Sequence, residues 1–174
     1  MKGYIHIYCG DGKGKTTASV GLAVRAAGRE KRVFISRFLK TEDSGEVAVL
    51  RAITGITVLP CERTFGFTFQ MTPEQKREAA EYYNNQLEQT WQLVVSGRYD
   101  ILILDEIMAV CSTGLVDETR LLSLLDHKPE HLEVIMTGRN PSEECKARAD
   151  YISEVKKEKH PFDLGVPASE GIEY

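Results

Sequence analysis

The stretch Cys9-Gly10-Asp11-Gly12-Lys13-Gly14-Lys15-Thr16-Thr17 brings glycines, lysines and hydroxyls together within a few residues. It follows a segment that reads as a strand, Tyr4 to Tyr8, and leads into a helical pattern from Thr16 to Ala27, closed by Gly28. A loop in that position turns backbone N–H groups and the positive end of a helix toward one spot, which is chemistry for holding phosphate. Gly10, Gly12 and Gly14 let the main chain approach an oxyanion without a Cβ clash. Lys15, with Lys13, neutralises phosphate oxygens, Thr16 offers its hydroxyl to magnesium (or manganese), and Asp11 and Thr17 complete the cradle. The bland alternative is a glycine-rich turn that merely joins strand to helix, and Lys15-Thr16-Thr17 at the helix start speaks against it. The spacing departs from G-x-x-x-x-G-K-[ST]: the first glycine should stand at position 9, which is Cys9, and arrives one residue later as Gly10. The cradle is therefore shortened, with consequences for the pose of a nucleotide.

A second group closes the apolar run Ile101-Leu102-Ile103-Leu104, which ends in Asp105-Glu106. Carboxylates at the end of a buried strand sit where a Walker B acid holds magnesium, directly or through water. Which of Asp105 and Glu106 is the direct ligand stays open, and a helix cap or surface charge is the plain alternative for either. Arg139, in Thr137-Gly138-Arg139 after a later strand, has the planar fork that suits two phosphate oxygens, with a structural salt bridge as the competing role. Phe65, Phe67 and Phe69 alternate, and taken alone read as a half-buried strand or loop. A lone His160 beside Pro161 is more in keeping with a capping or packed residue than with a metal ligand.

These groups need a frame. Arg32–Leu39 and Ile56–Leu59 read as the second and third strands, with a helix around Val47–Ala52 between them. Thr72-Pro73-Glu74-Gln75 combines a capping-box threonine, a proline at the first helical position and a reciprocal glutamine. It opens a long helix that Gly97 closes, with Ala80, Tyr83, Leu87, Trp91 and Val94 on one apolar stripe; Trp91 reads as core. The Ile101 run gives a strand covered on both faces. A helix then follows Asp117 over Leu121 to Leu125, with a strand at Leu132–Met136, a short helix opened by Asn140-Pro141, and a last strand at Tyr151–Val155. Strands alternating with helices predict an α/β protein: a three-layer P-loop NTPase fold with a mostly parallel sheet of about six strands. No repeat or linker divides the chain, so one domain over residues 1–174 is expected, with the tail from Lys159 to Tyr174 lying over the sheet.

A chain of 174 residues is large enough to bury a single core. A formal net charge of −4 gives no basic face of the kind nucleic acid requires. No apolar run approaches a membrane span and no export signal precedes the first strand, so no membrane and a cytoplasmic setting are expected. Cys9, Cys61, Cys111 and Cys145 are scattered, which suggests reduced structural thiols.

Taken in order, Gly10-Asp11-Gly12-Lys13-Gly14-Lys15-Thr16-Thr17, Phe38-Leu39-Lys40, Gly45-Glu46, Gly66-Phe67-Thr68-Phe69, Leu104-Asp105-Glu106, Thr137-Gly138-Arg139, Lys159-His160-Pro161-Phe162-Asp163 and the closing Gly171-Ile172-Glu173-Tyr174 resemble the P-loop ATP:corrinoid adenosyltransferases. The resemblance spans nearly the whole chain, and the shortened loop together with the Thr-Gly-Arg and Lys-His-Pro-Phe-Asp-x-Gly segments is specific to that family. It implies a RecA-like fold, usually a homodimer, and transfer of 5′-deoxyadenosyl from ATP to Co(I) of a corrinoid, with inorganic triphosphate leaving, in cobalamin biosynthesis or salvage. It further implies a nucleotide held in reverse relative to ordinary P-loop ATPases, and a flavoprotein as reductant. Phe67 and Phe69 match a segment whose aromatic side chains push off the lower cobalt ligand, which makes Co(II) easier to reduce; Phe69 stands where well-known members have Trp. With Lys15 these two are the residues expected to carry catalysis. Well-known members also have an N-terminal extension that helps cover the corrinoid, whereas this chain opens almost directly at its first strand, so the resemblance leaves open how the substrate is covered. The rival readings are a P-loop ATPase or kinase acting on the γ-phosphate, and a non-catalytic nucleotide-binding corrinoid carrier.

Overall fold

In the computed structural model, residues 2–66 and 68–173 are described; Phe67, one of the expected catalytic aromatics, lies outside them. Six strands form one sheet: β1 (Ile5–Cys9), β2 (Val33–Arg37), β3 (Ile56–Val58), β4 (Ile101–Asp105), β5 (Glu133–Thr137) and β6 (Tyr151–Glu154). Every neighbouring pair is parallel, in the order β3-β2-β4-β5-β1-β6. All strands therefore end at one edge of the sheet, and the sequence places the glycine loop, Asp105 and Thr137 at that edge. β2 and β4 are buried at every position, as strands with helices on both faces should be, and β2 carries two buried polar residues, Ser36 and Arg37. The edge strand β6 is exposed throughout.

Helices α1 (Lys15–Ala27) and α2 (Gly45–Ala52) cover one face of the sheet. Their Ala23, Ala26, Val47 and Leu50 pack with Val33, Ile35, Ile101 and Ile103. The other face carries α3 (Pro73–Leu93), α4 (Ile107–Ser112), α5 (Glu118–Asp126) and α6 (Glu143–Arg148), whose apolar residues join Ile7, Phe34, Leu102 and Val134 in a larger core. The expected three layers are thus present.

The long helix begins as its sequence dictates: the Gln75 amide donates to Thr72 Oγ1 at 3.2 Å and the Thr72 amide donates to Gln75 Oε1 at 2.8 Å. It ends through a wide turn at Val94–Arg98, where Gly97 adopts φ 79°. Tyr83, Leu87, Trp91 and Val94 are buried as expected, but Ala79 rather than Ala80 is the fully buried alanine of the stripe. The same face carries two polar residues that an apolar pattern cannot reveal. Gln86 Nε2 donates to Ser36 Oγ and to the Arg37 carbonyl, both at 3.0 Å, and Thr90 Oγ1 donates to Ser36 Oγ at 3.1 Å. This buried network satisfies the one hydroxyl in the middle of β2.

Three local expectations are corrected. Helix α4 was not foreseen, because the apolar run of β4 continues into Ile107 and Met108 with only Glu106 to turn the chain. The short helix expected from Asn140-Pro141 starts at Glu143 instead, capped by Ser142, whose hydroxyl accepts from the Cys145 amide at 3.1 Å. The tail does not lie over the sheet: both faces are already covered, and residues 161–173 are exposed, Phe162, Leu164 and Ile172 included. All four cysteines are free thiols, and burial pushes Cys111 up to about 12 and Cys145 up to about 11. Among the described residues no helix is long and apolar enough to cross a membrane.

Candidate active site

The carboxyl ends of β1, β4 and β5 converge on one cluster. Thr16 Oγ1, in the first turn of α1, donates to Asp105 Oδ1 at 3.0 Å. Thr137 Oγ1, at the end of the strand between β1 and β4, donates to the same oxygen at 2.7 Å. The Thr137 hydroxyl in turn accepts from the Glu106 amide at 2.8 Å. Thr137 is therefore the keystone of the cluster, fully buried and bonded to both acidic positions. Sequence reasoning passed over it in favour of its neighbour Arg139; the available signal was a polar residue ending an otherwise apolar strand.

Asp105 is only 2% exposed, so its charge needs partners. Besides the two hydroxyls it has Lys40 Nζ at 3.9 Å. Lys40 follows β2 and is a second residue whose role the sequence did not announce. Glu106 sits in the left-handed region at φ 60°, which a residue with a Cβ adopts only when its surroundings hold it there. Leu39 after β2 (φ 53°) and Asn140 after β5 (φ 51°) do the same, so three strands leave this edge of the sheet through strained non-glycine residues. Burial, and next the charge of Asp105, hold the Glu106 carboxyl above the ordinary carboxylate range, while Lys40, Lys15 and Arg139 pull it back.

Lys15 is 7% exposed, and burial lowers its pKa against the opposing pull of Glu106. Its ammonium donates to the Gly12 carbonyl at 2.7 Å, folded back across the loop that should receive phosphate. Arg139 is exposed, has no salt-bridge partner among the described residues, and its charge is felt at Lys15, Glu106 and Asp11. The structural salt bridge considered for it is thus absent among the described residues. His160 caps a short turn, its Nδ1 accepting from the Phe162 amide at 3.1 Å, as expected of a capping residue.

The glycines of the loop have a partner that the sequence did not suggest. Gly10 adopts φ 106°, and a Cβ there would lie 2.4 Å from the Val155 carbonyl oxygen. At Gly12 a Cβ would lie 2.7 Å from the Lys156 carbonyl oxygen. The Gly12 amide already donates to Val155 O at 2.8 Å. These two glycines are needed for the close approach of the chain leaving β6. Gly14, at φ 118°, has open space where a side chain would stand, so the chain leaving β6 does not crowd it.

The described residues of the aromatic segment form not the strand its alternation allowed but a loop, with Phe65 half-buried. Phe65 packs on Tyr82 and Tyr83, with the Arg63 guanidinium 4.7 Å from its ring centroid. Thr68–Gln70 forms a single tight turn, not a strand, and Phe69 is 79% exposed.

A parallel sheet with a glycine loop running into a helix, and a hydroxyl and a carboxylate meeting at its mouth, defines a P-loop nucleotide-binding protein. The model of the family described as ATP:corrinoid adenosyltransferase BtuR/CobO/CobP matches residues 1–174, and the chain belongs to that family. It is 33% identical over 178 residues to the corrinoid adenosyltransferase CobA of Salmonella typhimurium, covering 99% of this chain and 86% of that one. The corrinoid adenosyltransferase of Escherichia coli K12 is 32% identical with the same coverage. Among solved structures the cytoplasmic domain of EssC is similar, with a TM-score of 0.55 at 17% identity; the match covers 97% of this chain and 36% of that one, and the likeness is one of fold.

Proposed function

We propose that this enzyme transfers the 5′-deoxyadenosyl group of ATP to Co(I) of a corrinoid and releases inorganic triphosphate, in cobalamin biosynthesis or salvage. The observation that carries the reading is the junction of Thr16, Thr137 and Asp105 at the mouth of a loop that ends in Lys15, in a chain of this family. In the reaction the cobalt electron pair attacks C5′ of the ribose, the Co–C bond forms, the C5′–O bond breaks, and the triphosphate leaves with that bond's electrons. Co(I) needs no protein base, so what remains for the protein is positioning and stabilisation of the leaving charge.

The loop of residues 10–17 holds the phosphates through the amides that follow Gly12, with Lys15 and Lys13. Lys15 exchanges its bond to the Gly12 carbonyl for phosphate oxygens, a trade of a neutral acceptor for a charged one. Arg139, with no salt-bridge partner among the described residues and at the same edge, adds a bidentate contact. The donor set of Thr16, Asp105 and Glu106 is all oxygen and suits a hard cation such as magnesium or manganese. When bound, that cation neutralises charge on the phosphates. Phe67 and Phe69 form the wedge that meets the corrinoid. Family resemblance is the support for placing the chain in the cytoplasm as a homodimer with a flavoprotein reductant.

The test is anaerobic mixing of the protein with Mg-ATP and chemically reduced cob(I)alamin. A light-sensitive Co–C product together with inorganic triphosphate is expected. ADP and phosphate with unchanged cob(I)alamin would assign the chain to the ATPases instead. Nucleotide binding without turnover on cob(I)alamin, or on a corrinoid lacking the nucleotide loop, would leave a carrier.

A further inference from the structure

The mechanism above gives the Asp11 carboxylate no task, and a negative charge in a phosphate loop needs one. Its Oδ1 accepts from the Lys157 amide at 3.0 Å, and that bond is the first cause of the lowered pKa of Asp11. One residue along, the Gly12 amide donates to Val155 O at 2.8 Å, so the loop and the chain beyond β6 are joined by a reciprocal pair of bonds. The absent side chains of Gly10 and Gly12 permit this approach, since a Cβ at either would meet the backbone of 155–156 at 2.4 to 2.8 Å. The strap is fixed further out, where Lys157 Nζ donates to Asp163 Oδ1 at 2.8 Å. Between strap and loop lies an open cleft of about 500 Å³, lined among others by Lys13, Lys156, Lys159 and His160.

We infer that residues 155–163 form the outer wall of the phosphate loop and that Asp11 is a positioning residue for nucleotide binding. It touches no phosphate. It pins the strap, and through the strap it fixes the loop in the shape that leaves Gly14 and the start of α1 open to phosphate and keeps Lys13 at the rim. A loop shortened by one residue has less of its own curvature to rely on, and the strap supplies the missing constraint. The Gly12 amide is then spent on the strap, and the amides that follow it are left for the ligand.

This inference rests on the ATP-binding reading above, and calorimetric titration of Mg-ATP without corrinoid separates the two. Wild type that binds no ATP overturns both. If wild type binds, Asp11→Ala is expected to weaken ATP roughly fivefold or more, while Asp11→Asn, which keeps an acceptor oxygen for the Lys157 amide, restores most of the affinity. In the adenosyl-transfer assay the same loss should appear in the KM for ATP with kcat nearly unchanged. Thermal unfolding of the two variants checks that both are folded at the assay temperature. Wild-type affinity in Asp11→Ala overturns the inference. So does an Asp11→Asn variant as weak as Asp11→Ala, since that would assign the role to the charge and not to the bond.

Discussion

The phosphate-loop cluster and the aromatic turn at Thr68–Gln70 are built differently. On the phosphate side Lys15, Asp105 and Thr137 are buried; Lys15 is bonded within its own loop, and Asp105 and Thr137 are held by hydrogen bonds between elements far apart in sequence. On the aromatic side Phe69 is 79% exposed on a single turn, and the tail residues Phe162 and Leu164 are exposed as well. A buried, bonded cluster is paid for by folding and is ready before the ligand comes. An exposed aromatic turn has most of its apolar surface still to bury. The contrast suits an enzyme whose small ligand enters a finished cradle and whose large, flat substrate must be gripped from outside.

The strongest way to break this comparison is to disable the finished half. Lys15→Ala removes the buried cation of the loop, and loss of a charge-assisted bond to phosphate costs on the order of tenfold to a hundredfold in affinity. Mg-ATP titration should show that loss with the fold intact by circular dichroism. Near-normal affinity would mean the amides alone make the cradle.

Thr137→Val comes next. It removes the donor to Asp105 and the acceptor for the Glu106 amide at a fully buried position, which should cost roughly 1–3 kcal/mol of stability. Denaturant unfolding reads it, and ATP binding should weaken in parallel because Asp105 loses its anchor. A stability loss with unchanged Mg-ATP affinity would separate the keystone from the ligand site.

The exposed half should respond the opposite way. Phe69→Ala should change stability by no more than about 0.5 kcal/mol, as surface substitutions do. ATP affinity should hold, while the rate falls several-fold when the reaction starts from Co(II) and less when it starts from Co(I). Equal loss in both assays would remove the aromatic from its assigned part.

How much was legible in the sequence follows the same division. The strand–loop–helix at Cys9–Thr17 and the apolar strand ending at Asp105 are local signals, and the structure brings them together as expected, as it does the six parallel strands. What escaped was set by contacts across the sheet. Thr137 and Lys40 matter because parallel pairing sets β5 between β1 and β4, and β2 beside β4, a neighbourhood that no spacing along the chain encodes. The glycines at 10 and 12 were assigned to phosphate for their type, yet the backbone they accommodate lies some 145 residues further on. Helix α4 was missed because a buried helix directly after a buried strand shows no change of period.

The smallest expected effect concerns Glu106, where the finished half carries a cost of its own. Its carboxyl is held above the ordinary value, so over the interval between the two values the folded chain binds a proton that the unfolded chain has released. Stability contributed by this group is therefore highest below the ordinary glutamate value of about 4.3, declines as pH rises through the interval, and stays lower above it. Glu106→Gln cannot ionise, so it should unfold at a higher temperature than wild type at neutral pH, with the difference closing as the pH is brought to 4 or below, at about the ordinary glutamate value. Glu106 combines a strained backbone with a charge that burial disfavours, and if it serves the cation as proposed the same variant should bind Mg-ATP less well. A variant that gains no stability at neutral pH would mean that Lys40, Lys15 and Arg139 already offset the burial in full, and the strain at Glu106 would then be purely one of backbone.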